Sequence, residues 1–171
     1  MISSTRPDPG CDAADPGQTS DKPVPELAPG TSQDVADGQD DYLYAVGYQL
    51  YQQKKYAEAT CFFVHLCLQN LFSGRYVYAL GACMQAQSAL EPACEIYEVC
   101  RLLEPENPLA AFHLGECYLK LGKPDLALQS YRAAARLAQG IPELASLMLR
   151  SGGMADLLSA GANAQSASVT E

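Results

Sequence analysis

The sequence predicts an all-α chain built from three tandem helix hairpins, and three observations predict it. Leu80-Gly81-Ala82-Cys83 returns as Leu114-Gly115-Glu116-Cys117, 34 residues later. The same register reaches back to Gly47 without a gap. Within each unit, apolar residues fall three or four positions apart, the spacing that puts side chains on one face of a helix. A period of this length is the sequence mark of stacked helical units, each too small to bury its apolar face alone.

The units are 40–73, 74–107 and 108–141. In the first helix of each, Val46, Leu80 and Leu114 precede Gly47, Gly81 and Gly115, and Leu50, Met84 and Tyr118 follow one turn on. In the second helix, Ala59, Ala93 and Ala127 lead to Phe63, Tyr97 and Tyr131, then to Leu66, Cys100 and Ala134. Glycine and alanine at these places allow two helix axes to approach closely. The connectors "QKKY", "AQSAL" and "KLGKP" are short, as a helix hairpin requires. Gly122 is placed to end a helix and Pro124 to begin one. Unit 2 has Ser88 where glycine is usual and Pro92 just inside its second helix, which predicts a slightly irregular turn. Glu104-Pro105-Glu106-Asn107-Pro108 joins units 2 and 3. This register resembles the tetratricopeptide repeat, and the resemblance implies a right-handed superhelix.

The flanks differ in character. Residues 1–39 carry seven acids against two bases, six of the eleven prolines and no aromatic residue. Such a stretch cannot bury enough apolar surface to offset the entropy of ordering it, so a disordered acidic arm is expected. Beyond the repeats, Pro142 opens a segment over 142–161 in which Leu144, Leu147, Met148, Leu157 and Leu158 form a broken apolar stripe. A capping helix is expected there, weakened by Gly152-Gly153, with a flexible tail over 162–171.

Composition excludes several functions. The net charge is −9, and no basic stripe exists for a phosphate backbone, so nucleic acid is not an expected partner. No apolar run has spanning length and no secretory leader is visible, which predicts a soluble cytoplasmic protein without membrane insertion. Seven cysteines form no C-x-x-C pair and only two histidines accompany them. Cys61, Cys67, Cys83, Cys94, Cys100 and Cys117 therefore read as small apolar residues of a reducing compartment, with no metal or other cofactor. His65 and His113 have no evident nucleophile or acid beside them, and phosphate-binding loops are missing, so no catalysis is expected.

The repeat resemblance implies that the first helix of each unit lines a concave surface. The residues carried there are Tyr44, Tyr48 and Tyr51 from unit 1, then Arg75, Tyr78, Ala82, Gln85 and Ala86 from unit 2. Unit 3 contributes Leu109, Phe112, Glu116, Leu119 and Lys120. A trough of tyrosines, phenylalanine and leucines suits an extended apolar peptide, since aromatic rings offer large apolar area and tyrosine keeps a polar handle. Repeats that hold the acidic tails of heat-shock chaperones carry Lys, Asn and Arg where this chain has Tyr44, Tyr48, Ala79, Leu109 and His113. That ligand class is excluded.

The tyrosine row Tyr44, Tyr48, Tyr51, Tyr56 and the element Leu80-Gly81-Ala82-Cys83-Met84-Gln85, within three repeats and a helical cap, resemble the class II chaperones of bacterial type III secretion. The resemblance covers about Tyr42 to Leu158. It implies stoichiometric holding of a hydrophobic pore-forming translocator, an N-terminal segment of which lies extended in the groove. It also implies peptide contacts at Tyr44, Tyr48, Tyr51, Tyr78 and Phe112, with Gln85 and Glu116 offering hydrogen bonds. Some members also join a transcriptional activator. Family members self-associate through an amphipathic helix before the first repeat. Proline, glycine and aspartate in residues 21–39 leave no such helix here, so at most a weak homodimer is expected. Pro25-Glu26-Leu27-Ala28-Pro29 makes the arm itself a candidate occupant of the groove. Two other readings stay open at this point, a needle-subunit co-chaperone of the same system and a general repeat scaffold. The first would need a broad aliphatic groove and the second would bind folded partners.

Overall fold

The computed structural model describes residues 37–168, and the side chains of 38–161. Of the disordered arm expected over residues 1–39, residues 1–36 lie outside the described residues, as do the last three of the chain, while 37–39 are corrected to the first turn of a helix. Six helices form three hairpins: α1 (Asp37–Gln52) with α2 (Tyr56–Gln69), α3 (Gly74–Ala86) with α4 (Leu90–Leu103), and α5 (Pro108–Lys120) with α6 (Pro124–Leu137). A short 3-10 turn (Pro142–Leu144) then leads into α7 (Ala145–Ser168). Each helix packs on the next in chain order, and α3 also touches α5.

What brings the two helices of a hairpin together is one contact, repeated three times. A Cβ added at Gly47 would lie 3.1 Å from the Phe63 ring, at Gly81 2.8 Å from Tyr97, and at Gly115 3.0 Å from Tyr131. Each ring therefore lies flat where any other residue would place a side chain. Ala59, Ala93 and Ala127, all without exposed surface, keep the second helix equally slim one turn earlier. Around these contacts grow two cores, one joining α1, α2 and α3 and the other joining α3, α4 and α5.

The three hairpin turns are alike. Lys54, Ser88 and Gly122 all take the left-handed conformation, at φ of 62°, 61° and 70°. In each, the next residue's N–H donates back to the carbonyl five residues earlier: Lys55 to Leu50, Ala89 to Met84 and Lys123 to Tyr118. This is the 6→1 bond of a Schellman ending. The irregular turn expected in unit 2 is thus corrected: Ser88 adopts the glycine-like geometry, and Pro92 sits in the first turn of α4, where its missing N–H costs nothing. Asn107 starts α5, its side-chain oxygen accepting from the Leu109 N–H at 3.0 Å.

The last unit is closed by α7. Leu147 and Ala155 are buried against Phe112, Ala127, Tyr131 and Ala134, with Leu144, Met154 and Leu158 packed around them. Leu157, expected in this stripe, is 70 % exposed. Residues 144, 147, 151, 155 and 158 make the inward face, and Ser151 is accommodated there by donating to the Leu147 carbonyl at 2.7 Å. α7 also runs on to Ser168, past residue 161, where the sequence reading ended the cap. Gly152 and Gly153 do not interrupt it. No described helix is long and apolar enough to cross a membrane.

These contacts and turns make three stability predictions. Gly81→Ala is expected to cost about 1–3 kcal/mol by overpacking against Tyr97. Gly152→Ala, where an added Cβ meets nothing within 4 Å, should be neutral or stabilise by up to about 1 kcal/mol through helix propensity. Ser88→Gly should stabilise by about 1 kcal/mol, because a side chain in the left-handed region is strained. Urea unfolding followed by circular dichroism at 222 nm checks all three.

Candidate functional site

The first helices of the three units border one continuous depression with two parts. The apolar part is walled by Tyr44, Tyr48 and Tyr51 of α1 and by Tyr78, Ala79 and Ala82 of α3, with Phe63 of α2 in its floor. It is narrow, with a free volume of about 10 Å³. The polar part is a cleft of about 180 Å³ bordered by Tyr51, Ala82, Gln85, Ala86, His113, Glu116 and Lys120. Tyr51 and Ala82 border both, which makes them one trough from α1 across α3 to α5.

The rings in the apolar part differ in freedom. Tyr44 is buried, edge-on to Phe63 at 5.5 Å, with the Arg75 guanidinium 3.8 Å above its ring. Tyr78 is 1 % exposed, its ring centroid 5.9 Å from those of both Tyr97 and His113, which stack on one another. Its hydroxyl is buried and meets no hydrogen-bond partner among the described residues, and burial lifts its phenol far above the ordinary tyrosine range. Tyr48 and Tyr51 are half-buried, so part of each ring faces the trough, and Tyr51 stands edge-on to Tyr56 at 5.2 Å.

The polar part is a relay across three helices. The Tyr97 hydroxyl donates to Gln85 Oε1 at 2.9 Å, and Gln85 Nε2 donates to Glu116 Oε2 at 2.9 Å. His113 Nδ1 lies 2.8 Å from the same oxygen, so that nitrogen carries the proton. Burial opposes ionisation of Glu116. Nevertheless His113, Gln85 and Lys120 together hold its carboxyl below the usual carboxylate range. Glu116 is an anion with both of its neighbours fixed.

Of the sequence-predicted contacts, Tyr44, Tyr48, Tyr51, Tyr78, Ala82, Gln85 and Glu116 come together in this trough. Leu109, Phe112 and Leu119 border neither part. Phe112 is 3 % exposed, packed against Tyr131 and covered by Arg150 of α7, and Leu109 and Leu119 pack into the same core. The groove side of α5 toward its N-terminus is taken by the cap. His113, which the sequence left without a partner, stands at the centre of the relay. The i, i+3 spacing of His113 and Glu116 was the available signal.

Comparison with known proteins places this arrangement. Tetratricopeptide-repeat profiles match residues 41–67 and 108–141. The chain is 32% identical to PcrH, whose crystal structure holds the chaperone-binding region of PopD; it covers 98% of that chain and 76% of this one, with a TM-score of 0.72. It belongs to the tetratricopeptide-repeat translocator chaperones of type III secretion. SycD of Yersinia enterocolitica, solved with a peptide of the translocator YopD, is 26% identical with a TM-score of 0.72, over 75% of this chain and 98% of that one. The chaperone is also 32% identical to the chaperone protein SicA of Salmonella typhimurium over 60% of its own length and 59% of SicA.

Cys83, Cys94, Cys100 and Cys117 are buried in the packing and Cys67 is half-buried, whereas Cys61, expected among them, is exposed. Burial pushes the thiols of Cys83, Cys100 and Cys117 up to about 12, far from the reactive thiolate. Among the described residues, no group of three or more His, Cys, Asp or Glu could hold a metal ion.

The relay predicts a pH dependence. Because the folded-state pKa of Glu116 is depressed, its stabilisation is fully present above the unfolded carboxylate value and is lost as pH falls through the folded value. Glu116→Gln should therefore be about 1 kcal/mol less stable than the parent at pH 7, with the difference shrinking as the pH falls below the ordinary carboxylate range. Urea midpoints measured at pH 7 and through that acid range check it.

Proposed function

We propose that this chaperone holds an extended apolar segment of a hydrophobic, pore-forming translocator in the α1–α3–α5 trough. Bound there in the bacterial cytoplasm, the client stays soluble and ready for export. The chaperone holds and does not catalyse. The observation that carries the reading is the pair of half-buried rings, Tyr48 and Tyr51, over a floor of buried aromatics. Partly exposed rings over buried aromatics suit an apolar anchor, which gains by burying its surface at about 25 cal/mol per Å². Next to it, Gln85 and Glu116 are pre-oriented by Tyr97 and His113, so they meet the backbone amides of an extended strand with little further ordering. PcrH and SycD, each solved with a translocator segment, support the same reading.

Tyr44 and Tyr78 contribute from below, as buried walls, while Tyr48, Tyr51, Ala82, Gln85 and Glu116 form the contact surface. Leu109, Phe112 and Leu119 contribute by fixing α5 against α7, and they become direct contacts only for a client that displaces part of that packing. A weak homodimer and a transcriptional activator belong to the same reading as further partners. The exposed Leu68, Leu71, Phe72 and Leu102, all on second helices or the turn after α2, leave apolar surface for them.

The test is co-expression with the translocator of the same secretion system. Tyr48→Ala combined with Tyr51→Ala should lose the client from pull-down and weaken segment binding at least about 30-fold, the scale of two hot-spot rings. Helical circular dichroism should be retained. Full client retention by a folded double variant would exclude the trough as the site.

A further inference from the structure

Two chains of net charge −9 repel one another, so copies of this chaperone meet most favourably where a basic patch of one faces an acidic patch of the other. The outer faces of the second helices hold both patches. We infer that the chaperone pairs with a second copy of itself through them. Arg132 and Arg136 on α6 of one copy face Glu91 and Glu95 on α4 of the other, and the reciprocal contact forms at the same time.

The basic patch lies in the one part of the fold that is not acidic. Residues 108–161 carry five bases against four acids. Arg132 and Arg136 are exposed, one turn apart on α6. They border a groove of about 520 Å³ between α6 and α7, walled otherwise by Ala135, Gly152, Ala155 and Asp156. A Cβ added at Gly152 would meet nothing within 4 Å, so the groove is open above α7. Arg132 Nη2 donates to Ser159 Oγ at 3.2 Å, which holds that guanidinium toward the groove. Among the described residues neither arginine forms an ion pair, whereas Arg75 and Arg101 lie 3.3 and 3.4 Å from Asp41 and Glu98. Asp156 stands on the α7 wall, so incoming carboxylates are drawn to the α6 side.

The acidic patch has the matching form. Glu91 and Glu95 are exposed, also one turn apart, and form no ion pair among the described residues. Glu98, the next acid along α4, is already engaged by Arg101 and by the Tyr118 hydroxyl. An i, i+4 spacing separates side chains by about 5–6 Å in both pairs, so two carboxylates meet two guanidiniums in step. Leu102, farther along the outer side of α4 and 81 % exposed, adds apolar area. In the repeat register Arg132 takes the place of Glu98 and Arg136 that of Leu102, which puts acids and bases on the same outward stripe of successive units.

Because each patch is the complement of the other and both lie on one face, a two-fold axis satisfies both contacts in a closed dimer. The α1–α3–α5 trough stays open in each copy. Exposed ion pairs contribute modestly, so the pairing is weak.

Sedimentation velocity on the full, client-free chaperone tests this over a concentration series. The parent is expected to dimerise with a Kd below about 1 mM. Glu91→Arg with Glu95→Arg should weaken the dimer at least about 10-fold, although it lowers the net negative charge, and Arg132→Glu with Arg136→Glu should do the same. Combining all four substitutions should return the Kd to within about 3-fold of the parent. Circular dichroism at 222 nm reports folding, and Glu91→Gln with Glu95→Gln is the milder pair, expected to weaken the dimer about 3-fold or more. A monomeric parent, a reversed or glutamine pair that dimerises as the parent does, or a folded fourfold variant that stays monomeric overturns the inference. Client capture in co-expression reads the trough separately and is expected to be the same for all these variants. A monomeric parent that retains its client sinks this inference alone, and a dimer that fails to capture a client sinks only the function reading.

Discussion

The rest of the structure depends on a glycine facing an aromatic ring, three times over. Gly47, Gly81 and Gly115 leave no side chain where Phe63, Tyr97 and Tyr131 lie, and this sets the spacing of the helices in each hairpin. The ring in turn brings the second helix's chemistry to the first. In unit 2 this reaches into the trough, since the Tyr97 hydroxyl passes beside Gly81 and donates to Gln85. A bulkier residue at position 81 would move not only α4 but the orientation of Gln85, and with it Glu116. The packing of the hairpin and the polar part of the trough are one geometry.

The trough is also where the fold gives up stability. Its apolar part contains the buried Tyr78 hydroxyl, which has no hydrogen-bond partner among the described residues, a kind of group whose desolvation costs about 1–3 kcal/mol. Tyr48 and Tyr51 are only half covered, so their apolar area is incompletely used. Elsewhere the chain satisfies its polar groups with care: Asn107 caps α5, Ser130 and Ser151 donate to their own helices, and Gln85 and Glu116 satisfy one another. Incomplete satisfaction concentrated at one trough, on rigid helices, is what a surface awaiting a ligand requires.

Much of this was legible in the sequence. The gapless period carried the hairpins, and glycine and alanine at fixed positions carried the close packing, because those constraints are local to a unit and repeat with it. The tyrosines of α1 were legible as one row for the same reason. What was not legible came from contacts outside the period. α7 has no counterpart in the repeat, and it draws Phe112, Leu109 and Leu119 into its own core rather than leaving them to the trough. The His113–Glu116 pair is unique to unit 3, so no repetition announced it. Ser88 looked like an irregularity because serine is unusual at a left-handed position, yet two flanking backbone hydrogen bonds hold it in the geometry of Gly122.

The central claim is that the first helices, and not the outer second helices, hold the client. Amide hydrogen exchange on the full chaperone with and without its co-expressed translocator tests this most directly. The account predicts new protection in α1, α3 and α5 around Tyr48, Tyr51, Gln85 and Glu116, with α2, the turn after it and α4 unchanged at Leu68, Phe72 and Leu102. Protection confined to the latter three, with the tyrosine trough exchanging as in the free protein, would contradict it.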